Sequence, residues 1–182
     1  VAVLGPTTWG NSANECYEVT LRTINKAVRW FAEETRGKQG FGGAQFQALP
    51  QADRRRIAGQ LMVEIRARIG GEEKKVGHFD DQAVVLEFVN SRELGRLAAM
   101  GTSCPDHFLR TKIAPLVVPF DPVSKNLDTA VSGLDKAIAD YRADYAAYYE
   151  RCKRLDSPKM RDPNAVVYLA PGIGMITFAR DK

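Results

Sequence analysis

The chain is poor in the residues that carry redox and metal chemistry. Of 182 residues only three are cysteines, Cys16, Cys104 and Cys152, an odd number set far apart. That pattern excludes a disulfide framework and predicts a reducing, cytoplasmic setting. There are two histidines, His78 and His107, and two tryptophans, Trp9 and Trp30, the latter expected in the core. No apolar run approaches the ~18 residues of a membrane span. No charged segment leads into an apolar one, so no secretory signal is expected. Charge of one sign is also scarce. The net charge is +4, and the excess lies in residues 1–75, with 12 basic against 8 acidic residues. The single basic run, Arg54-Arg55-Arg56, reads as the solvated start of a helix, so no nucleic-acid partner is expected.

What is present is ordinary for a globular protein: 45% apolar and 26% charged residues, enough to bury a core at this length. Residue 1 is Val, and Val1–Leu4 reads as a buried strand ended by Gly5-Pro6, as though the chain begins inside a domain. Ser12 followed by Glu15 fits a capping box. Ala13, Cys16, Tyr17, Leu21, Ile24, Ala27, Val28 and Phe31 then recur at helical spacing, predicting a helix over 13–35. Residues 37–49 hold four glycines and three glutamines without a period, and read as a linker. No Gly-Lys-Ser/Thr follows them, so they are not a phosphate loop.

Ile57, Leu61, Ile65 and Ile69 stack at four-residue intervals and predict a helix over 51–69, stopped by Gly70-Gly71. Charged, flexible residues follow to Asp81. Ala83–Val89 reads as a buried strand, with Ser91 capping a short helix to Met100. Residues 101–110 read as a polar loop. Ile113–Val118 reads as a strand, with Pro115 placing it at an edge or a bulge. Leu127, Val131, Leu134, Ile138, Tyr141, Tyr145, Tyr148, Cys152 and Leu155 step 4-3 without a break. That heptad seam predicts a long helix over 124–155. It either lies on a sheet or forms an arm against another helix or subunit, which would make the chain a homo-oligomer. Ala165–Ala170 and Met175–Ala179 read as strands joined by a tight turn, Pro171–Gly174. The order predicts an α/β fold, a layered sheet with helices.

Residues that could carry chemistry cluster in one place. Asp106, His107, Arg110 and Lys112 bring an acceptor, a switchable base and two cations within seven residues, on a segment between a helix and a strand. They are the candidate anion- or substrate-binding set, or else a network that caps the loop. Cys104 would need a base to become a nucleophile, and His107 is three residues on. His78, Asp80 and Asp81 bring three potential metal ligands close together, or else form an ordinary charged loop. Pro171–Gly174 begins like a dinucleotide loop but lacks the third glycine and the helix.

Three segments carry a family resemblance. TTWGNSANECYEVTLRTINKA (Thr7–Ala27) resembles the last strand, turn and helix of a class II aldolase. GTSCPDHFLRTKIAPLVV (Gly101–Val118) and AVVYLAPGIGMITFARDK (Ala165–Lys182) complete a likeness to the fused enzymes that join rhamnulose-1-phosphate aldolase to a short-chain alcohol (lactaldehyde) dehydrogenase. The resemblance covers nearly the whole chain except residues 37–49. It implies a class II aldolase-like end over 1–36, a Gly-rich linker over 37–49, and an α/β connecting module with a long amphipathic helix over 50–182. The implied partners are an aldolase half and a dehydrogenase half outside this sequence, and the implied cofactors, zinc and NAD(P), belong to those halves.

The departures bear on activity. Class II aldolases hold zinc with three histidines, one of them in a His-Gly-x-x-x-Trp-Gly pattern. Gly5, Trp9 and Gly10 match that pattern, but Leu4 stands in the place of the histidine. The sequence has no Gly-x-x-x-Gly-x-Gly loop of a dehydrogenase. No catalytic residue, metal ligand or cofactor carries over to this chain. The expected role is therefore a structural segment of a bifunctional enzyme, inactive alone. The alternatives are an independent sugar-phosphate or anion-binding module, and a zinc-less pseudo-aldolase.

Overall fold

The computed structural model describes residues 8–71, 73–102 and 105–181. The expected strand Val1–Leu4, the matched Gly5 and the candidate thiol Cys104 lie outside them. The chain divides into two units, Val1–Gln39 and Gly40–Lys182.

The first unit is built on one helix, α1 (Ala13–Glu34). Ser12 caps it as expected, its Oγ accepting from the Glu15 N–H at 3.1 Å. The Glu15 carboxylate returns to the Asn11 N–H at 2.7 Å, one residue earlier than in a regular capping box. Gly10 packs so tightly on the first turn that a Cβ there would lie 2.6 Å from the Cys16 nitrogen. No residue of α1 is buried. Trp9 is 81% exposed and Trp30 55%, against the expectation that both are core residues.

The second unit is a layered α/β domain, as the sequence predicts. Its helices are α2 (Gln51–Ile69), α3 (Ala83–Val89), α4 (Leu94–Met100), α5 (Pro105–Thr111) and α6 (Leu127–Cys152). Its strands are β1 (Val76–Asp80), β2 (Leu116–Val117), β3 (Val167–Ala170) and β4 (Gly174–Ala179), in the order β1-β4-β3-β2. β3 and β4 form an antiparallel hairpin with Ala170 opposite Gly174. β1 adds antiparallel to β4, and β2 adds parallel to β3, with Leu116 opposite Tyr168.

The two faces of the sheet are covered by different helices. Tyr168, Ala170, Ile176 and Phe178 face a core built with Ile57, Leu61 and Ile65 of α2 and Ala130, Leu134 and Ile138 of α6. Leu169, Val167 and Met175 alternate to the other face, against Val89 of α3 and Leu94 and Ala98 of α4. The period-2 alternation of β3 and β4 is thus what makes three layers from one sheet.

Several elements differ from the sequence reading. Ala83–Val89 is a helix and not a buried strand: Val85, Leu86, Phe88 and Val89 share its inner face, while Ala83, Val84 and Glu87 are exposed. The stretch expected to be flexible before Asp81 contains β1. Residues 101–110, expected as a loop, contain α5. Ser91 does not cap α4; its Oγ is buried without a hydrogen-bond partner among the described residues. The strand over 113–118 shortens to the two residues of β2, at the sheet edge where Pro115 placed it.

The segment expected as a linker is held from Gly40 onward. The Gln45 and Phe46 N–H groups both donate to the Asn90 carbonyl, and the buried Leu49 donates to the Gly172 carbonyl. The long helix spans 26 residues, about seven turns. It begins at Leu127, capped by Asn126 through the Thr129 N–H, rather than at Ser124. Its seam is buried at Leu134 and Ile138, half-buried at Leu127, Val131 and the three tyrosines and open at Cys152, and Leu155 beyond the helix is fully exposed.

The basic run starts α2 as expected, but Arg54 is not solvated. Its guanidinium holds Asp81 at 2.9 and 3.1 Å and the Leu49 carbonyl at 2.6 Å. Among the described residues no helix is long and apolar enough to cross a membrane.

Candidate functional site around Lys112 and Tyr145

The segment that holds the predicted anion set is pinned at both ends. Gly101 ends α4 with φ +77°, a conformation that glycine adopts freely. A Cβ there would sit 2.3 Å from the Ile113 carbonyl oxygen. That same carbonyl accepts from the Thr102 N–H at 2.9 Å, closing the excursion. Between these ends α5 runs from Pro105 to Thr111.

The structure turns Lys112 away from His107 and Arg110. His107 and Arg110 lie three residues apart on α5, and both are exposed. The side chain of Asp106 is outside what the structure describes. Lys112 ends the helix in the left-handed region, φ +64°, its N–H still donating to the Phe108 carbonyl. A lysine in that conformation is strained, and glycine is the usual residue there. Its side chain leaves the α5 surface and reaches α6 and the loop before β3.

There its ammonium lies 4.1 Å from the centre of the Tyr145 ring. It also donates to the main-chain carbonyl of Asp162. The Asp162 carboxylate is turned to Lys75, at 2.8 Å, and accepts from the Asn164 main-chain and side-chain N–H groups. Asn164 in turn accepts from Arg142 Nε at 2.7 Å, and Arg142 reaches the Arg68 carbonyl. One asparagine thus ties the end of α2, the middle of α6 and the turn into β3 together.

The electrostatics follow from this arrangement. Burial pushes the Lys112 ammonium down to about 8; Asp162 opposes the shift and Lys75 adds to it. Lys75, hydrogen-bonded to Asp162, is raised. Burial alone would raise Asp162, but the Lys75 hydrogen bond and the Asn164 N–H outweigh it and the carboxyl lies below its usual value. Burial pushes the Tyr141 hydroxyl up to about 12, with Tyr145 adding to it, and that hydroxyl donates to the Ala114 carbonyl at 2.8 Å.

Tyr145 also lines a cleft of about 490 Å³. One wall is Tyr141, Tyr145 and Tyr148 of α6, with Asp144 and Arg151. Gly95, Ala98 and Ala99 of α4 also line it, with Ile113, Ala114, Pro115 and Val117. Small residues beside large aromatic ones leave the space open. The volume suits a small organic molecule.

His78 stands in the middle of β1 opposite Thr177, and Asp81 is committed to Arg54. Among the described residues no three His, Cys, Asp or Glu side chains converge on one point. Pro171–Gly174 is the tight hairpin turn predicted, with Gly172 at φ +75° packed on Pro122, and β4 rather than a helix follows. Of the site residues, Lys112 and the seam tyrosines stand out in the sequence. Asp162, Lys75 and Asn164 do not; Asp162-Pro163-Asn164 reads only as a helix-breaking turn.

Comparison with known proteins gives two findings. Residues 44–182 match the family described as aldolase class II, second domain. The chain is 31% identical over 176 residues to the uncharacterized oxidoreductase YuxG of Bacillus subtilis (strain 168). That alignment takes in 97% of this chain and 25% of the relative, so the chain spans about a quarter of its length. No solved structure matches.

Proposed function

Because the chain belongs to the family of class II aldolase second domains, we propose that it is the joining piece of a longer two-activity enzyme. In this proposal a zinc-dependent sugar-phosphate lyase lies on one side of it and an NAD(P)-linked short-chain dehydrogenase on the other. The observation that carries it is one of length: nearly all of this chain corresponds to a quarter of a relative named as an oxidoreductase. The likeness of Thr7–Ala27, Gly101–Val118 and Ala165–Lys182 to the fused rhamnulose-1-phosphate aldolase and lactaldehyde dehydrogenases supports that pair of activities.

The chain's own residues do not fit either cofactor. Two histidines held apart on β1 and α5 supply no zinc site, and a β-hairpin turn does not present a helix N-terminus to a pyrophosphate. The chemistry would belong to the flanking halves, and this segment would be inactive alone. α1 precedes the matched region and has no buried residue. On this reading residues 1–36 close the lyase domain, whose remainder covers Tyr17, Leu21, Ile24 and Val28. Gly40–Leu49 belongs to the second unit, held there by the hydrogen bonds of Gln45, Phe46 and Leu49.

The test begins with the gene on either side of this segment. A His-x-His motif upstream, and Gly-x-x-x-Gly-x-Gly with Tyr-x-x-x-Lys downstream, are expected. The full-length protein should cleave rhamnulose 1-phosphate and reduce NAD with lactaldehyde, while the 182-residue chain does neither. Cleavage or NAD reduction by the short chain would overturn the assignment, as would flanks without those motifs.

A second reading, an anion-binding surface, is favoured by the exposure of His107 and Arg110 on one short helix. Lys112 is turned away from that surface and is not part of it.

A further inference from the structure

We propose that the tyrosine-walled cleft binds a purine nucleoside monophosphate, its base read by the free backbone edge of Val117 and its phosphate held at the basic end of α6. This goes beyond the family assignment and does not depend on it.

The cleft crosses the open edge of the sheet. α6 packs on the face that carries Tyr168, and α4 on the face that carries Leu169. A single space lined by both helices must pass around the end of the sheet, and β2 is the strand at that end. Val117 of β2 is among its lining residues. Leu116 pairs with Tyr168, and the Val118 N–H donates to the Leu169 carbonyl at 2.8 Å. Both neighbours of Val117 therefore spend their peptide groups on β3. Alternation turns the Val117 N–H and carbonyl the other way, out of the edge. Neither has a partner among the described residues.

This edge cannot take another strand. Pro115 and Pro119, two residues to either side of Val117, carry no N–H. What remains is one donor beside one acceptor. That pair matches the adjoining acceptor and donor on the Watson–Crick edge of a nucleobase. The lining also suits a flat ring. Gly95, Ala98 and Ala99 leave room from α4, and the rings of Tyr145 and Tyr148 offer surfaces for stacking from α6. The two fused rings of a purine cover more of that surface than a pyrimidine does.

Charge places the rest of the ligand. The Tyr141 hydroxyl donates to the Ala114 carbonyl, which fixes the β2 end of the α6 wall. Arg151 is ten residues further along, a rise of about 15 Å, and a long side chain on a helix leans back toward its N-terminus. Base, ribose and one phosphate fit that span. Residues 151–161 hold five cations, Arg151, Lys153, Arg154, Lys159 and Arg161, against the single carboxylate of Asp156. Among the described residues only Lys153 of these five is ion-paired, with Glu150. A phosphate is the complement of such a cluster, and the planar fork of Arg151 can hold two of its oxygens. Asp144 lines the cleft between the two ends. Its carboxylate repels a phosphate and accepts from ribose hydroxyls.

The test is a nuclear magnetic resonance titration of the full chain with AMP and GMP, beside adenosine, guanosine, ribose 5-phosphate and inorganic phosphate. The better of the two nucleotides should bind at least tenfold tighter than its nucleoside or ribose 5-phosphate, and should shift the amide signals of Ala98, Ala99 and Val117. Its 1-methyl derivative, with the base edge blocked, should bind at least tenfold more weakly. R151A should weaken the nucleotide about tenfold and leave the nucleoside unchanged. A99W places a large side chain in the cleft from an exposed position and should abolish binding while keeping its circular dichroism. The proposal is overturned if neither nucleotide shifts Val117, or if the 1-methyl derivative binds as well as its parent. It is equally overturned if ribose 5-phosphate or phosphate matches the nucleotide, because the basic stretch would then hold an anion unaided.

Discussion

The side chain of Asn90 accepts a hydrogen bond from the Gly172 N–H at 2.6 Å, inside the protein. Asn90 is 5% exposed and stands at the end of α3, while Gly172 is in the β3–β4 turn. The Asn90 carbonyl meanwhile takes the Gln45 and Phe46 N–H groups. One residue therefore fastens the hairpin, α3 and the entry segment to each other. Asn90→Ala should leave the Gly172 N–H buried without a partner and cost about 1–3 kcal/mol. Urea unfolding monitored by circular dichroism measures it, and a loss below a few tenths would show that water replaces the side chain.

The α6 seam should divide in two when it is truncated. Leu134 is fully buried between α2 and the sheet, so Leu134→Ala should cost about 2–5 kcal/mol. Tyr148 lines an open cleft, so Tyr148→Ala should cost less than about 1 kcal/mol. By the same logic Tyr145→Asp should be milder than a charge at Leu134. Melting temperatures of the three variants, taken side by side, separate a seam that is dry throughout from one that is dry only around Leu134 and Ile138.

Lys112 should make stability depend on pH. Its folded value is about 8 against an ordinary 10.5, so between those values the unfolded chain binds more protons than the folded one. Stability from this group therefore rises with pH over that window. Lys112→Met removes the term, so the difference between wild type and variant should move in favour of wild type from pH 7.5 to pH 9.5. Above about 10 the Tyr141 hydroxyl, raised to about 12, acts in the opposite direction, because the unfolded tyrosine ionises first. Parallel denaturation curves at those two pH values decide the sign.

An anion on α5 would be read by nuclear magnetic resonance. Phosphate at millimolar concentration should shift the amide signals of His107 and Arg110. Arg110→Ala should abolish the shifts, whereas Lys112→Met should leave them. Still signals would remove the anion-binding surface.

The sequence spoke clearly where one period dominates. Ile57, Leu61, Ile65 and Ile69 can only share a helical face, and the alternating β3–β4 hairpin around Pro171–Gly174 is equally direct. α3 was hidden because five of its seven residues are Val, Leu or Phe, so that neither period stands out. β1 was hidden for the opposite reason: Gly77 and Asp80 are poor strand formers in a strand of five residues, and pairing with β4 makes the strand. The site was half legible. Lys112 was found from the cluster of charge around it, but its direction is set by a left-handed backbone angle that no residue type announces at a lysine. Its partners come from Tyr145 and Asp162, far along the chain, and no local pattern links them.

The order of the strands governs when this domain can form during synthesis. β4 and β3 hold the centre of the sheet, yet they are its last strands to be made. Val76 must wait for Ala179, and β2 must wait for β3, before either has a neighbour. A ribosome adds ~5–20 residues per second. For several seconds the nascent chain thus carries α2 and the first half of α6 with their apolar faces uncovered. A stop a dozen residues before Ala179 would remove β4 and nearly all of β3, and so the strand that β1 pairs with among the described residues. Such a chain would keep its helices and have no sheet to lay them on, and it should be recovered with chaperones or in the insoluble fraction rather than as a smaller folded domain.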